Sequence, residues 1–89
     1  MLKKQITIIN KLGLHARAAA KFVSYANRYG SEIHITFKDR TANGKSIMGV
    51  MMLAASKGSI IELSIEGEDE QYAMNALETL ILNRFGEEE

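Results

Sequence analysis

Apolar and polar residues alternate along three segments of the chain, and this period of two predicts β-strands. The segments are residues 2–9, 32–38 and 59–66. Residues 40–45 leave room only for a short further strand or a turn, because Asn43-Gly44 is a turn signal. Each alternating segment is apolar on one side only, as in strands with one buried and one solvated face. The apolar sides carry Ile6 and Ile8, then Ile33, Ile35 and Phe37, then Ile61, Leu63 and Ile65.

Three other segments have the composition and spacing of helices. An alanine-rich helix is predicted from Ala16 to about Arg28, ended by Gly30. Ser46 opens a short apolar helix, and Asp69 begins the last one. The positions predicted to face the core are Ala19, Phe22, Val23 and Ala26 in the first helix, Val50, Leu53 and Ala54 in the second, and Ala73, Ala76, Leu77, Leu80 and Ile81 in the third.

The element order β-α-β-β-α-β-α predicts an α+β fold. Strands that are apolar on one face favour an antiparallel sheet covered by helices on one side, since a doubly wound parallel sheet needs strands apolar on both faces. We therefore expect an open-faced β-sandwich, a four-stranded antiparallel sheet with three helices on one face. No linker, repeat or low-complexity segment divides residues 1–89, which predicts one domain.

The charges are unevenly distributed along the chain, although the formal net charge is zero. Residues 1–57 carry ten Lys and Arg against two acidic side chains, a net charge of +8. Residues 58–89 carry one Arg against nine acidic side chains, a net charge of −8. The zero total argues against a nucleic-acid partner. The basic half is expected to meet an acidic protein partner.

The composition also argues against several kinds of site. The chain has no cysteine, which removes disulfides, thiolate nucleophiles and cysteine zinc sites, and favours a reducing cytoplasm. Its longest apolar stretch, residues 47–55, is nine residues, so neither a signal peptide nor a membrane span is expected. Two distant histidines and scattered glycines predict neither a metal site nor a nucleotide-binding loop, and no cofactor is expected.

His15 lies where a turn enters the first predicted helix, whereas His34 is on the solvated side of a strand. A helix N-terminus presents free N–H groups and a partial positive charge, which favour a neutral, nucleophilic imidazole. The backbone N–H groups of Ala16 and Arg17 suit a phosphate, and so does the guanidinium of Arg17. This pattern predicts a histidine that accepts a phosphoryl group. The alternative is a polar residue that merely ends the loop.

Ser46 is expected to cap the second helix. Phosphorylation of its hydroxyl is compatible with capping, because a phosphate is favourable at a helix N-terminus. The helix is apolar nearly all round, which leaves two interpretations: a fully buried helix, or an exposed methionine-rich patch for partners. The apolar residues that cannot all face the core are Ile47, Met48, Met51 and Met52.

Three motifs at their mutual spacing carry a resemblance that covers nearly the whole chain. They are Gly13-Leu14-His15-Ala16-Arg17 followed by an alanine-rich helix, Asn43-Gly44-Lys45-Ser46-Ile47-Met48-Gly49-Val50-Met51, and Gly67-Glu68-Asp69-Glu70. Together they resemble the HPr family, the histidine phosphocarriers of the bacterial sugar phosphotransferase system. The predicted element order is similar to that family's open-faced β-sandwich.

The resemblance implies that His15 accepts a phosphoryl group on Nδ1 from phospho-enzyme I, which phosphoenolpyruvate charges, and passes it to enzyme IIA-type domains. It also implies that an ATP-dependent HPr kinase/phosphorylase modifies Ser46. We expect a monomer with small, fast, salt-sensitive interfaces, which is not a turnover enzyme on its own. The expected partner-binding residues are Ala20, Lys21, Lys45, Ile47, Met48, Met51 and Met52.

Two residues depart from the family pattern. Ala18 stands where the family usually has proline, and we expect the helix to persist with a less rigid entry loop. Leu12 replaces a small polar residue, which removes one possible hydrogen bond near the ring. Two other functions stay open: a family relative in a nitrogen-related or regulatory phosphorelay, and an α+β docking or ligand-sensing module in which His15 is only a loop residue.

Overall fold

The elements of the computed structural model, which describes residues 1–89, follow the predicted order. A 3-10 turn, Arg84–Gly86, follows the last helix. The strands are β1 (Leu2–Thr7), β2 (Glu32–Phe37), β3 (Arg40–Asn43) and β4 (Ile60–Glu66), and the helices are α1 (Ala16–Ala26), α2 (Ile47–Met52) and α3 (Glu70–Leu82).

The four strands form one antiparallel sheet in the order β1-β4-β2-β3. Inward apolar residues face one another across neighbouring strands, with Ile6 opposite Ile61 and Ile35 opposite Leu63. They belong to a core of 23 buried residues drawn from all four strands and all three helices. The other face of the sheet is polar, and one of its rows runs Lys3, Ser64, His34 and Asn43. The open-faced α+β sandwich is therefore confirmed.

Two helices differ in detail from the sequence prediction. Ala54 was expected in the core but is exposed, because α2 ends at Met52, with Leu53 as its C-cap residue, and Ala54 adopts a left-handed conformation with φ of 55°. Its neighbour Ala55 is buried instead. In α3, Met74 is buried although the predicted stripe omitted it, and Ala76 is only half-buried. The flexible side chain of a methionine fills such irregular space.

None of the helices is long and apolar enough to cross a membrane.

Candidate functional site

His15 is the N-cap residue of α1. Its backbone is extended, with φ of −75° and ψ of 179°, and its carbonyl accepts the N–H of Ala19 at 2.8 Å. The N–H groups of Ala16, Arg17 and Ala18 precede this first helical hydrogen bond and so have no partner inside the helix. The first turn contains no acidic residue. This end of α1 is therefore free to receive an anion.

The departure at Ala18 leaves the helix intact, as predicted. α1 begins at Ala16, and the side chain of Ala18 is completely buried. Leu12, the other departure, is 64% exposed and lines the cleft beside His15. Neither substitution displaces His15 from the start of the helix.

The loop before His15 is fixed by backbone contacts. Leu14 is buried, and its N–H donates to the carbonyl of Ala55 at 2.9 Å. The side-chain amide of Asn10 donates to the carbonyl of Gly13 at 2.8 Å. Gly13 adopts a φ of 67°, a left-handed conformation that glycine allows. The chain therefore enters α1 in one defined direction, which places the imidazole.

The imidazole of His15 contacts a carboxylate from the end of the chain. Nε2 lies 2.5 Å from Oε2 of Glu87, and the side chain of His15 is 25% exposed. The other oxygen of Glu87, Oε1, accepts a hydrogen bond from Nδ2 of Asn10 at 3.1 Å. The contact engages Nε2 and leaves Nδ1 without a partner in the protein.

Glu87 is ionised near neutral pH. Burial raises the pKa of its carboxyl, but hydrogen bonds from Asn10 and His15 and the charge of Arg17 outweigh burial and hold the pKa below its ordinary value of 4.5. The group beside the imidazole is thus a carboxylate, which only accepts hydrogen bonds.

The site opens into a cleft of about 820 Å³ that residues from both ends of the sequence line. The basic half was expected to form the docking face, but acidic side chains share this cleft with it. The tail turns back over α1, so the two oppositely charged halves meet at His15. The charged residues are Lys11, Arg17 and Lys21 on one side and Glu87, Glu88 and Glu89 on the other.

Two lysines predicted to bind partners hold carbonyl groups of the protein. Nζ of Lys21 donates to the carbonyl of Phe85 at 2.7 Å, and Nζ of Lys45 donates to the carbonyl of Tyr29 at 2.7 Å. Lys21 thereby ties α1 to the 3-10 turn. A partner that binds either ammonium group must share it with these carbonyls or displace them.

Ser46 caps α2, as predicted. Its backbone is extended, and its hydroxyl oxygen accepts the N–H of Gly49 at 3.1 Å. The side chain is half-buried. Neighbouring residues alone fix this position, because a serine just before a helix accepts a hydrogen bond from a first-turn N–H that has no acceptor within the helix.

The surface of α2 is largely apolar and exposed, so the fully buried interpretation is wrong. Met48 is 65% exposed, Met52 64% and Ile47 43%. We call these three residues the α2 patch. Met51, in contrast, is half-buried and packs against the core. Ala20 is exposed on α1, which packs against α2.

Sequence reasoning missed Asn10, Phe85 and Glu87. Asn10 is completely buried at the end of the first predicted strand, and Phe85 is completely buried in the tail. A signal for the tail was present, because Phe85 is the one apolar residue between positions 83 and 89. An isolated aromatic residue in a polar tail suggests an anchor to the core.

Comparison with known proteins identifies the family. The family model "PTS HPr component phosphorylation site" matches residues 2–83. The phosphocarrier protein HPr of Neisseria meningitidis serogroup A is 58% identical over 89 residues, all of both chains. HPr-C-His from Thermoanaerobacter tengcongensis superposes with a TM-score of 0.96 at 47% identity over all of both chains. An HPr dimer from the same bacterium gives a TM-score of 0.78 at 47% identity, over 98% of this chain and 100% of that one. The motif order, the fold and the relatives agree that this chain belongs to the HPr family of phosphocarrier proteins.

Proposed function

We propose that the protein carries a phosphoryl group on Nδ1 of His15, which it accepts from phospho-enzyme I and passes to enzyme IIA-type domains. One observation carries the proposal: His15 is the N-cap residue of α1 and lines an open cleft, with Nδ1 unpaired and Arg17 beside it. Family membership supplies the reaction class, and this geometry supplies a nucleophile with an anion-binding helix end next to it.

The transfer step needs little more than a positioned lone pair. Nδ1 of His15 attacks phosphorus, and a P–N bond forms while the bond between phosphorus and the donor's carrier atom breaks. The donor keeps the electron pair of that bond. The N–H groups of Ala16 and Arg17 and the guanidinium of Arg17 stabilise the phosphoryl oxygens. In delivery, a nucleophile of the acceptor attacks phosphorus, the P–N bond breaks and Nδ1 recovers its electron pair.

The α2 patch and the exposed Ala20 form the proposed docking surface for donor and acceptor proteins. Apolar side chains at this exposure lose water when a partner covers them, and methionines adapt to more than one partner surface. Lys11 and Arg17, the basic side chains at the edge of the cleft, then orient the encounter with an acidic partner.

Intact-mass spectrometry after incubation with phosphoenolpyruvate and enzyme I tests the proposal. We expect one acid-labile phosphate on the wild type and none on His15→Ala. His34→Ala is the matched control, because His34 lies on the far face of the sheet, and it should keep the adduct. Absence of the adduct on the wild type, or its presence on His15→Ala, contradicts the proposal.

We further infer that Ser46 is the target of an ATP-dependent HPr kinase/phosphorylase. A phosphate adds about −2 charge at neutral pH. On Ser46 this charge stands next to the α2 patch, where it opposes desolvation by a partner. With ATP and the kinase, we expect an acid-stable phosphate on wild type and on His15→Ala but not on Ser46→Ala. The same adduct on Ser46→Ala contradicts the assignment.

We also propose that the protein is a monomer, because the site is formed within one chain, by His15, Asn10, Arg17 and Glu87. Light scattering at micromolar concentration measures the mass directly. A stable dimer, the form in which a structure of a Thermoanaerobacter tengcongensis relative is described, contradicts this part alone.

A further inference from the structure

The end of the chain forms a strap that is held over the site. We define the C-terminal strap as residues 83–89. Arg84, Phe85 and Gly86 are all left-handed, with φ of 56°, 54° and 79°, and this turns the chain back toward α1. Two successive non-glycine residues rarely adopt this conformation unless other contacts hold them.

Contacts at both ends of the C-terminal strap hold its backbone in this conformation. Phe85 is completely buried, and its carbonyl accepts the hydrogen bond from Lys21. At the other end, the N–H of Lys11 donates to the main-chain oxygen of Glu89 at 2.5 Å, and Nζ of Lys11 lies 3.3 Å from Oε2 of the Glu89 side chain. The strap therefore places Glu87, which lies between these two anchors, against His15.

Glu87 is held by two groups at once. Asn10, which is completely buried, donates one N–H of Nδ2 to the carbonyl of Gly13 and the other to Oε1 of Glu87. This leaves Oε2 of Glu87 directed at Nε2 of His15. The side chain of Glu87 is 15% exposed, so water does not compete freely for the carboxylate.

We propose that Glu87 is a positioning residue: its carboxylate holds the proton of His15 on Nε2 and so leaves the lone pair on Nδ1 for the phosphoryl group. A neutral imidazole carries one proton, and its two nitrogens exchange donor and acceptor roles with the tautomer. A carboxylate only accepts hydrogen bonds, so it selects the form with the proton on Nε2. This inference rests on the proposed function.

The same contact acts during transfer. When Nδ1 bonds to phosphorus, the ring keeps its Nε2 proton and acquires positive charge. The carboxylate of Glu87, adjacent to that proton, stabilises the charge as it develops. Glu87 thus affects the rate at which His15 accepts the phosphoryl group, without touching phosphorus.

Glu87→Gln separates positioning from simple packing, because glutamine keeps the shape of the side chain. It offers one acceptor and one NH₂ donor where the carboxylate offers two acceptors. If its oxygen faces Asn10, its NH₂ group faces His15 and favours the ring with the proton on Nδ1. If its oxygen faces His15, two NH₂ groups oppose each other at Asn10.

¹⁵N NMR of the ring nitrogens, at a pH where the ring is neutral, tests the proposal directly. In the wild type we expect a protonated Nε2 whose proton exchanges slowly with water. In Glu87→Gln we expect loss of that slow exchange and a shift of both ring signals toward the form with the proton on Nδ1. Glu88→Gln removes the same charge from the same cleft and should leave the signals unchanged. The ring signals of His34 report whether the fold is intact.

Phosphorylation by enzyme I and phosphoenolpyruvate provides the kinetic readout. We expect Glu87→Gln to slow the reaction about tenfold and Glu88→Gln to leave it near the wild-type rate. Unchanged ring signals in Glu87→Gln overturn the proposal, and so does an equal change in Glu88→Gln. A wild type with a protonated, slowly exchanging Nε2 that accepts no phosphate overturns the proposed function instead, and leaves the tautomer assignment intact.

Discussion

Gly13 and Ala55 contact each other backbone to backbone, and this contact positions the loop that carries His15. A Cβ at position 13 would lie 2.4 Å from the carbonyl oxygen of Ala55, closer than any van der Waals contact allows. That carbonyl is also the acceptor for the N–H of Leu14. A side chain at position 13 therefore meets backbone rather than a movable side chain.

We expect Gly13→Ala to lower the free energy of unfolding by roughly 2–4 kcal/mol, from the left-handed φ and the steric overlap together. It should also slow phosphorylation of His15, because the loop must shift. Urea denaturation and the mass assay measure the two effects. Gly30→Ala is the control, since a Cβ there has no neighbour within 4 Å. Equal stability of the two variants would contradict the role of the Gly13 contact.

Substitutions at Ser46 separate its capping role from its proposed regulatory role. Ser46→Ala loses the acceptor for the Gly49 N–H and should cost about 1 kcal/mol of stability, with little change in transfer from enzyme I. Ser46→Asp keeps a capping oxygen and adds charge beside the α2 patch. It should retain stability but slow transfer roughly tenfold. Thermal unfolding measures the stability of each variant, and the rate of phosphorylation by enzyme I measures transfer. Equal transfer rates for wild type and Ser46→Asp would count against the regulatory proposal.

Met48 and Val50 belong to the same short helix, but Met48 is exposed to solvent and Val50 is buried in the core. Met48→Ala should change the free energy of unfolding by no more than about 0.5 kcal/mol, since Met48 is 65% exposed. Val50→Ala should cost about 2 kcal/mol, because Val50 is completely buried.

Calorimetric titration with enzyme I tests whether the exposed side chain of Met48 contributes to binding. We expect Met48→Ala to weaken binding roughly threefold to tenfold. Val50→Ala, in samples that remain folded, should bind nearly as the wild type does. If Met48→Ala binds enzyme I with unchanged affinity, the α2 patch is not the docking surface.

Asp69 links α3 to the turn before β2 and gives stability a dependence on pH. Its carboxylate accepts hydrogen bonds from the hydroxyl and the N–H of Ser31 and from the N–H of Gly30. The Ser31 hydroxyl, followed by the Gly30 N–H, holds the pKa of Asp69 below its ordinary value of 3.8. Because the folded state prefers the ionised form, this contribution is complete above pH 3.8 and is lost as the pH falls through the lower, folded-state pKa.

We therefore expect wild type to exceed Asp69→Asn in stability at neutral pH, with a difference that narrows at about pH 3. Urea denaturation at the two pH values measures it. Glu68→Gln, at the exposed neighbouring position, should show no such narrowing. A difference between wild type and Asp69→Asn that grows on acidification would contradict the assignment.

Local patterns predicted most of the fold and half of the site. The alternation of apolar and polar residues predicted the strands. Ser46 could be recognised as a helix cap because its hydrogen-bond partner, Gly49, is only three residues away. His15 could be placed at a helix start because a turn signal precedes it and an alanine-rich run follows it directly. The burial of Met74 and the exposure of Ala54 were missed, because they depend on where the helices end and how they pack.

The contact between His15 and Glu87 could not be predicted in this way. It joins residues 72 positions apart, and it exists because Phe85 is buried and the left-handed residues beside it turn the tail toward α1. The periodic pattern of apolar and polar residues carries no information about a contact between residues so far apart in the sequence. The charge distribution indicated two separate halves, and only the folded chain shows that they meet at one side chain.

The uncovered face of the sheet gives the protein a surface well suited to chemical labelling. The chain contains no cysteine, so a single substitution such as Gln5→Cys introduces one thiol. Gln5 is exposed on β1 opposite Glu62, on the side of the sheet away from the helices. A fluorophore or spin label attached there lies across the sheet from α1 and α2, so it can follow association with a partner without occupying the proposed docking surface.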